Sequence, residues 1–353
     1  MPTIERVRTE ILPDAANPQL LVHITDNEGT TGIGETWWGH YRPDLDPGAP
    51  VVPYQAVIDA VLGPTLWGLA ISSTADIAAA WDTLIRATYQ YGDDGIVRGA
   101  LSGIDLALWD LIGRREGVPV TSMLGPRLHD RIPVYASLTW HGQADRIIAD
   151  IAAAAVAGFS AAKLHESDPL LIRTVRSEVD PAFSLMVDVS AAYDEAGSLA
   201  LVAGLEDLAL DWIEEPLYPQ RDRAALARIR SSSSTPIAGG ENELSLAGIN
   251  ALVDAGAVDL VQPEIAKVGG LTEARRIGAA ISSSGLPLAP HNFSLGPSLH
   301  ASWHWAAAEP ATRWLEIPWL PAGQGFPGLG ELPVVDGGTI GLPPGPGLGF
   351  PHE

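Results

Sequence analysis

Three acids in this chain stand at a spacing suited to gripping a metal ion. Asp188, Glu214 and Glu241 each close a short apolar run: Ser184-Leu185-Met186-Val187-Asp188, Leu210-Asp211-Trp212-Ile213-Glu214 and Pro236-Ile237-Ala238-Gly239-Gly240-Glu241. The acids lie 26 and 27 residues apart. That is the length of one strand, one helix and two short loops, so in a closed parallel barrel all three ring the same face. An all-oxygen, trianionic set suits a hard dication such as Mg²⁺. Structural ion pairing is the plainer reading of any one acid, but few cations stand nearby in sequence to pair all three.

Upstream, Ala157-Gly158-Phe159-Ser160-Ala161-Ala162-Lys163-Leu164-His165 reads as a helix end, a glycine stop and a strand whose last polar residues alternate onto one side. Lys163 and His165 then point into the barrel mouth. A dication nearby disfavours the charged form of Lys163 and lowers its pKa, while an imidazole already titrates in the working range. Further runs end on Glu264, on His291 and on Glu316, so six consecutive strands deliver a polar group to that rim. Glu264 can hold the His291 imidazole in one tautomer and raise its basicity. The plainer alternative pairs Glu264 with Lys267 three residues on and leaves His291 to shape a loop.

Those residues need elements to carry them. From Ile4 to Glu35 the pattern is strand-like, with a turn composition at Asp26-Asn27-Glu28-Gly29, and reads as an antiparallel meander. Between Gln55 and Gly117 the apolar spacing becomes helical, most clearly over Val97 to Asp110. After Leu128, Val-, Ile- and Leu-rich runs alternate with Ala-rich helical stretches, which is βα repetition. The fold class is therefore α/β: a (β/α)7-8 barrel of the TIM type with an N-terminal α+β capping domain. We divide the chain into a capping domain over 1–127, a barrel over 128–320 and a C-terminal segment over 321–353 that returns to the capping domain. Two patterns are decoys. His300 and His304 lack the glutamate of a zinc-protease helix, and Gly345-Pro346-Gly347-Leu348-Gly349 neither follows a strand nor opens a helix.

Composition excludes several functions. A net charge of −22 repels phosphate backbones and anionic lipid headgroups, so neither nucleic acid nor membrane is expected as a partner. With no cysteine, disulfides, thiolate metal sites and a Cys nucleophile are ruled out. Met1 to Leu12 does not read as a signal peptide and no apolar run is long enough to span a bilayer, so a cytoplasmic location is expected; a homo-oligomer is expected as well.

At this point the chain resembles the mandelate racemase and muconate lactonizing enzyme branch of the enolase superfamily over nearly its whole length. The motifs are Gly32-Ile33-Gly34-Glu35, Ser102-Gly103-Ile104-Asp105-Leu106-Ala107-Leu108-Trp109-Asp110, Pro119-Val120 leading to Leu124-Gly125, and the barrel residues above followed by Val268-Gly269-Gly270. The resemblance implies that Asp188, Glu214 and Glu241 bind Mg²⁺ and that Lys163 assists at a substrate carboxylate. His165 stands where the family's second lysine, a base, is usual. The subgroup's Asp–His dyad falls on Glu264 and His291, where the extra methylene displaces the carboxylate and makes dehydration more secure than two-base racemisation. Glu316 falls on the last-strand glutamate that hydrogen-bonds the enolate. Substrate contacts are expected from the capping loop Thr36 to Tyr41, with Trp38 and His40, from Trp140 and His141 beyond the first barrel strand, and from Asn242 and Lys267.

The expected reaction is removal of the proton α to a carboxylate, with a metal-stabilised enolate. Its leading form is an acid-sugar dehydratase: His165 or His291 takes the proton and a histidine protonates the departing β-hydroxyl. A racemase, epimerase or lactone cycloisomerase is the alternative within the family. Outside it stand a Schiff-base aldolase built on Lys163 and a non-catalytic binding barrel that keeps the metal. The expected partner is a small carboxylate, an acid sugar or related hydroxy acid.

Overall fold

The computed structural model describes residues 1–12, 18–37, 46, 48–92, 94–320 and 333–351. Near the N-terminus, β1 (Ile4–Leu12), β2 (Gln19–Asp26) and β3 (Thr31–Glu35) form an antiparallel sheet in that order. The hairpin between β2 and β3 is set by Asp26, whose Oδ1 accepts from the backbone N–H of Glu28 at 3.0 Å and of Thr30 at 2.9 Å. Gly29 supplies the positive φ of 87° that the turn needs.

The sheet lies on one long helix, Ile96–Glu116, in which every residue from Val97 to Gly113 is buried. A helix apolar on all sides suits burial between layers. The contact is so close that a Cβ added at Gly32 or Gly34 would stand 2.1 Å from the carbonyl oxygen of Ala107 or Gly103. The Gly-Ile-Gly-Glu motif is therefore a packing surface as well as a strand.

The barrel follows as β4 (Ile132–Leu138), β5 (Ala161–His165), β6 (Ser184–Asp188), β7 (Ile213–Glu214), β8 (Ile237–Gly239), β9 (Leu260–Val261) and β10 (Leu315–Trp319), parallel and paired in the order β10-β4-β5-β6-β7-β8-β9. Leu288 bridges Val261 on one side and Thr312 on the other, so segment 286–291 closes the ring between β9 and β10. Inside, Tyr135, Met186 and Trp212 alternate with Ala161, Ala238 and Ala289, large against small, forming a packed floor. The apolar runs read from sequence extend beyond the paired strands: Glu241 lies two residues past β8 and Glu264 three past β9. Glu316 departs the other way. It is the second residue of β10, opposite Tyr135, because staggered strands reach the same height at different points along their length.

Buried acids of the capping domain tie it to the barrel. Glu35, wholly buried, accepts from Gln19 Nε2 (2.8 Å), Ser294 Oγ (2.9 Å), and the N–H (3.0 Å) and Oγ (2.8 Å) of Ser298 at the start of helix Pro297–Ala308. Asp105 accepts from Thr272 N (2.9 Å) and Oγ1 (2.6 Å) at the start of helix Leu271–Ser284. In both, a carboxylate from one domain caps a helix of the other. Asp110 accepts from Ile33 N and from Leu348 N, the latter in the C-terminal segment, whose β11 (Thr339–Ile340) pairs antiparallel with β4.

Glu35→Ala leaves four donors without their acceptor. It is expected to destabilise by roughly 2–4 kcal/mol, read as a lowered urea midpoint. Burial raises the Asp105 carboxyl to about 7, against the hydrogen bonds from Thr272 that favour its charge. Its folded value lies above the ordinary 3.8 of an aspartate, so the stability it contributes is full below that value and lost as pH rises through about 7. Unfolding free energy measured across this window should fall with pH more steeply in the wild type than in Asp105→Asn.

Candidate active site

At the centre lies Lys163, on the middle of β5 and fully buried. Its Nζ donates to Glu214 Oε1 at 2.7 Å and lies 2.8 Å from Glu316 Oε1, with the Tyr135 ring beneath at 5.7 Å. Burial works against the ammonium, but Glu214 and Glu316 outweigh it and hold the Lys163 pKa well above its ordinary value. Two carboxylates at contact distance stabilise the charge, opposite in sign to the effect expected of a nearby dication.

Parallel pairing sets His165 opposite Asp188. The His165 Nδ1 is hydrogen-bonded to the carbonyl of Leu138, which can only accept, so Nδ1 carries a proton. Nε2 faces Asp188 Oδ2 at 3.3 Å, where a proton is also favourable. Against the cost of burial, Asp188 raises the His165 pKa and favours the protonated ring. Asp188 Oδ1 is held by the N–H of Ser190 at 2.6 Å. Ser190 and Ala191 have φ of 48° and 54°, a strained turn directly after a functional acid.

Glu264 pairs with His291 and not with Lys267. Its Oε2 lies 2.7 Å from His291 Nδ1, while Oε1 accepts from Ala266 N at 2.8 Å and caps the short helix Ile265–Val268. The extra methylene expected to loosen the dyad is taken up by that cap. The other face of the imidazole, Nε2, meets Glu241 Oε2 at 2.8 Å. Burial opposes the charge, yet Glu241 and Glu316 lead the groups that raise His291 well above its usual value.

Ligand atoms of Glu214, Glu241 and His291 lie within 4.8 Å of one another. Asp188, the third acid expected from sequence, turns instead to His165 and Ser190. It is still within electrostatic reach: after burial and the Lys163 charge, it acts on Glu214, and the charge of Glu241 acts on Asp188. Mutual repulsion among oxygen donors is what a hard dication relieves, so Asp188, Glu214 and Glu241 fit Mg²⁺. His291 Nε2, 2.8 Å from Glu241 Oε2, is the nitrogen of that group.

Asn242 and Lys267 adjoin Glu241. Asn242 Nδ2 donates to Glu241 Oε1 (3.0 Å) and to Glu215 Oε2 (2.9 Å), and Lys267 Nζ lies 3.3 Å from Glu241 Oε1. Trp140 is 72% exposed, and the His141 ring turns to Asp150 at 2.7 Å, so neither is brought to the carboxylates. Trp38 and His40 lie outside the described residues. His300 meets the carbonyl of Leu348 and His304 meets Thr121 Oγ1, which are packing contacts.

Sequence reasoning passed over Gln262 and Trp212, whose side-chain N–H groups donate to Glu214 Oε2 at 2.6 and 3.0 Å, and Asn292, whose backbone N–H donates to Glu316 at 3.0 Å. It also passed over buried Glu215, whose φ of 42° precedes a proline, while Trp37, inside the expected loop Thr36 to Tyr41, lies 4.1 Å from Lys267. Period-two alternation was a usable signal for Trp212, two residues before Glu214, and for Gln262, two before Glu264.

Residues 12–125 match the family model described as the mandelate racemase/muconate lactonizing enzyme N-terminal domain, and residues 146–352 match the enolase C-terminal domain-like model. D-galactarolactone cycloisomerase of Agrobacterium fabrum is 30% identical, over 94% of this chain and 88% of that protein. L-rhamnonate dehydratase of Saccharopolyspora erythraea is 29% identical, over 94% and 82%. The structure of L-talarate dehydratase from Polaromonas sp. JS666, complexed with Mg and L-glucarate, superimposes with a TM-score of 0.84 at 28% identity, covering 100% of this chain and 96% of that one. A fold, a buried carboxylate centre and two matched domain models converge: the chain belongs to the enolase superfamily, in its mandelate racemase/muconate lactonizing enzyme branch.

Proposed function

We propose that this chain is a Mg²⁺-dependent acid-sugar dehydratase. The observation that carries the proposal is a pair of histidines, each fixed by carboxylates, on well-separated parts of the ring with Lys163 and the acids between them. His165 lies on β5 and His291 on segment 286–291, three positions apart around the closed ring through β4 and β10. A substrate held between them is reached from both sides.

Asp188, Glu214 and Glu241 would hold the metal, which when bound supplies a dication against the charge developing on the substrate carboxylate. Lys163 donates one proton to Glu214 and stands 2.8 Å from Glu316, which keeps its charge in place to meet that carboxylate. His291 Nδ1–H donates to Glu264, directing Nε2 towards the centre once Glu241 is engaged elsewhere. Nε2 then takes the proton as the α C–H bond breaks. The electron pair passes through the enolate, the β C–O bond breaks, and His165 gives its proton to the leaving oxygen as water. The enol product tautomerises to a 2-keto-3-deoxy acid.

Lys163 is a poor Schiff-base nucleophile here, because two carboxylates hold it protonated. A lactone cycloisomerase is the second reading, favoured by the 30% identity to the Agrobacterium enzyme. It shares proton abstraction but releases no water. Self-association in the cytoplasm belongs to the same proposal and rests on sequence alone.

Incubating the protein with Mg²⁺ and a panel of sugar acids in D₂O tests the assignment. Deuterium at the α-carbon and a 2-keto-3-deoxy product are expected, both abolished by EDTA. His291→Asn should lower kcat by roughly 10²- to 10⁴-fold and remove exchange, whereas His165→Asn should keep exchange and lose elimination. Turnover that survives chelation would defeat the proposal; an isomeric product without loss of water would favour the cycloisomerase.

A further inference from the structure

The chain has 19 arginines but only two lysines, Lys163 and Lys267, and both face the carboxylate centre. Lys163 is locked, with contacts of 2.7 and 2.8 Å and no exposure. Lys267 is not. Its side chain retains 9% exposure, and its Nζ lies 3.3 Å from Glu241 Oε1 and 3.2 Å from Asn242 Oδ1. Both distances exceed the 2.7–2.9 Å typical of a charge-assisted hydrogen bond. Among the described residues it also lies over the face of Trp37, 4.1 Å away, which attracts a cation without satisfying its protons.

The backbone beneath this ammonium is firmly placed. Lys267 follows Glu264 by three residues on a turn in which Gly269, two residues further on, donates its N–H to Ser102 Oγ at 2.9 Å and accepts from the Trp81 indole at 2.8 Å. A rigid turn therefore presents a loosely paired cation beside Glu241. Because Glu241 is one of the acids assigned to the metal, an occupied centre would compete with Lys267 for the charge of that carboxylate. A partly buried ammonium in that setting calls for an anion.

We infer that Lys267 receives a second anionic group of the substrate, so that the preferred substrates are sugar diacids rather than mono-acids; this rests on the acid-sugar reading above. The reacting carboxylate occupies the Lys163 side, and a distal carboxylate turned towards the capping domain meets Lys267 over Trp37. Similarity alone does not choose between the classes, since rhamnonate carries one carboxylate and glucarate two.

The test compares a six-carbon aldarate with the matching aldonate, using the full-length protein loaded with Mg²⁺. Wild-type kcat/KM should favour the diacid, and Lys267→Met, which keeps the apolar stem, should lower the diacid-to-mono-acid ratio by roughly tenfold or more. Lys267→Arg should restore part of it. Calorimetry of Mg²⁺ binding to each variant separates a structural role, because loss of metal affinity would depress both substrates together and leave the ratio unchanged. An unchanged ratio, or a wild type that prefers the mono-acid, overturns the inference. If no acid is turned over, the dehydratase reading has failed, and calorimetric binding of the two acids still decides: loss confined to the diacid in Lys267→Met supports the anchor, while equal or absent binding refutes it.

Discussion

The clamp of Lys163 between Glu214 and Glu316 is the interaction on which the rest of the structure depends. Asp188, Glu214, Glu264 and Glu316 are all buried at the mouth of one barrel, and Glu241 lies among them. An ionised carboxylate taken out of water costs several kcal/mol unless it is paired and its remaining lone pairs are met. Each acid here has been given donors: Trp212 and Gln262 for Glu214, Ser190 for Asp188, Asn292 for Glu316, Ala266 for Glu264. Those donors leave charge that only cations offset, and the fully buried ammonium is the innermost of them. The small residues Ala161, Ala238 and Ala289 on the inner wall give side chains of this size room to converge.

The same physics holds the two domains together. Glu35 and Asp105 are also buried acids, but they meet helix N-termini instead of a lysine, so backbone N–H groups supply the compensation. No functional chemistry is needed to explain why those motifs contain acids. A substitution at either would be read through stability, whereas one at Glu214 or Glu316 would disturb charge at the reacting centre.

Much of this was legible because barrels convert sequence period into geometry. Acids at 26 and 27 residue intervals had to ring one face, and Lys163 with His165 had to share a side of β5. What spacing could not show was rotation about side-chain bonds. Asp188 lies at the expected height yet turns to His165, while His291 enters the tight group with Glu214 and Glu241. Nor could periodicity see Trp37 over Lys267, a contact between elements 230 positions apart in sequence. His141 failed for a local reason: Asp150, on the next helix, is nearer to its ring than any acid of the centre.

The turn from Glu264 to Thr272 shows how the site and the domain interface share one piece of backbone. Glu264 caps the helix that carries Lys267, and the same carboxylate orients His291. Gly269 and Gly270, with φ of 104° and 82°, reverse the chain against Ser102, Trp81 and Asp105 of the capping domain. A Cβ on Gly270 would stand 2.5 Å from Asp105 Oδ2, so the reversal and the cap leave each other no slack. The capping domain thus packs directly against the backbone that carries both the dyad's carboxylate and Lys267.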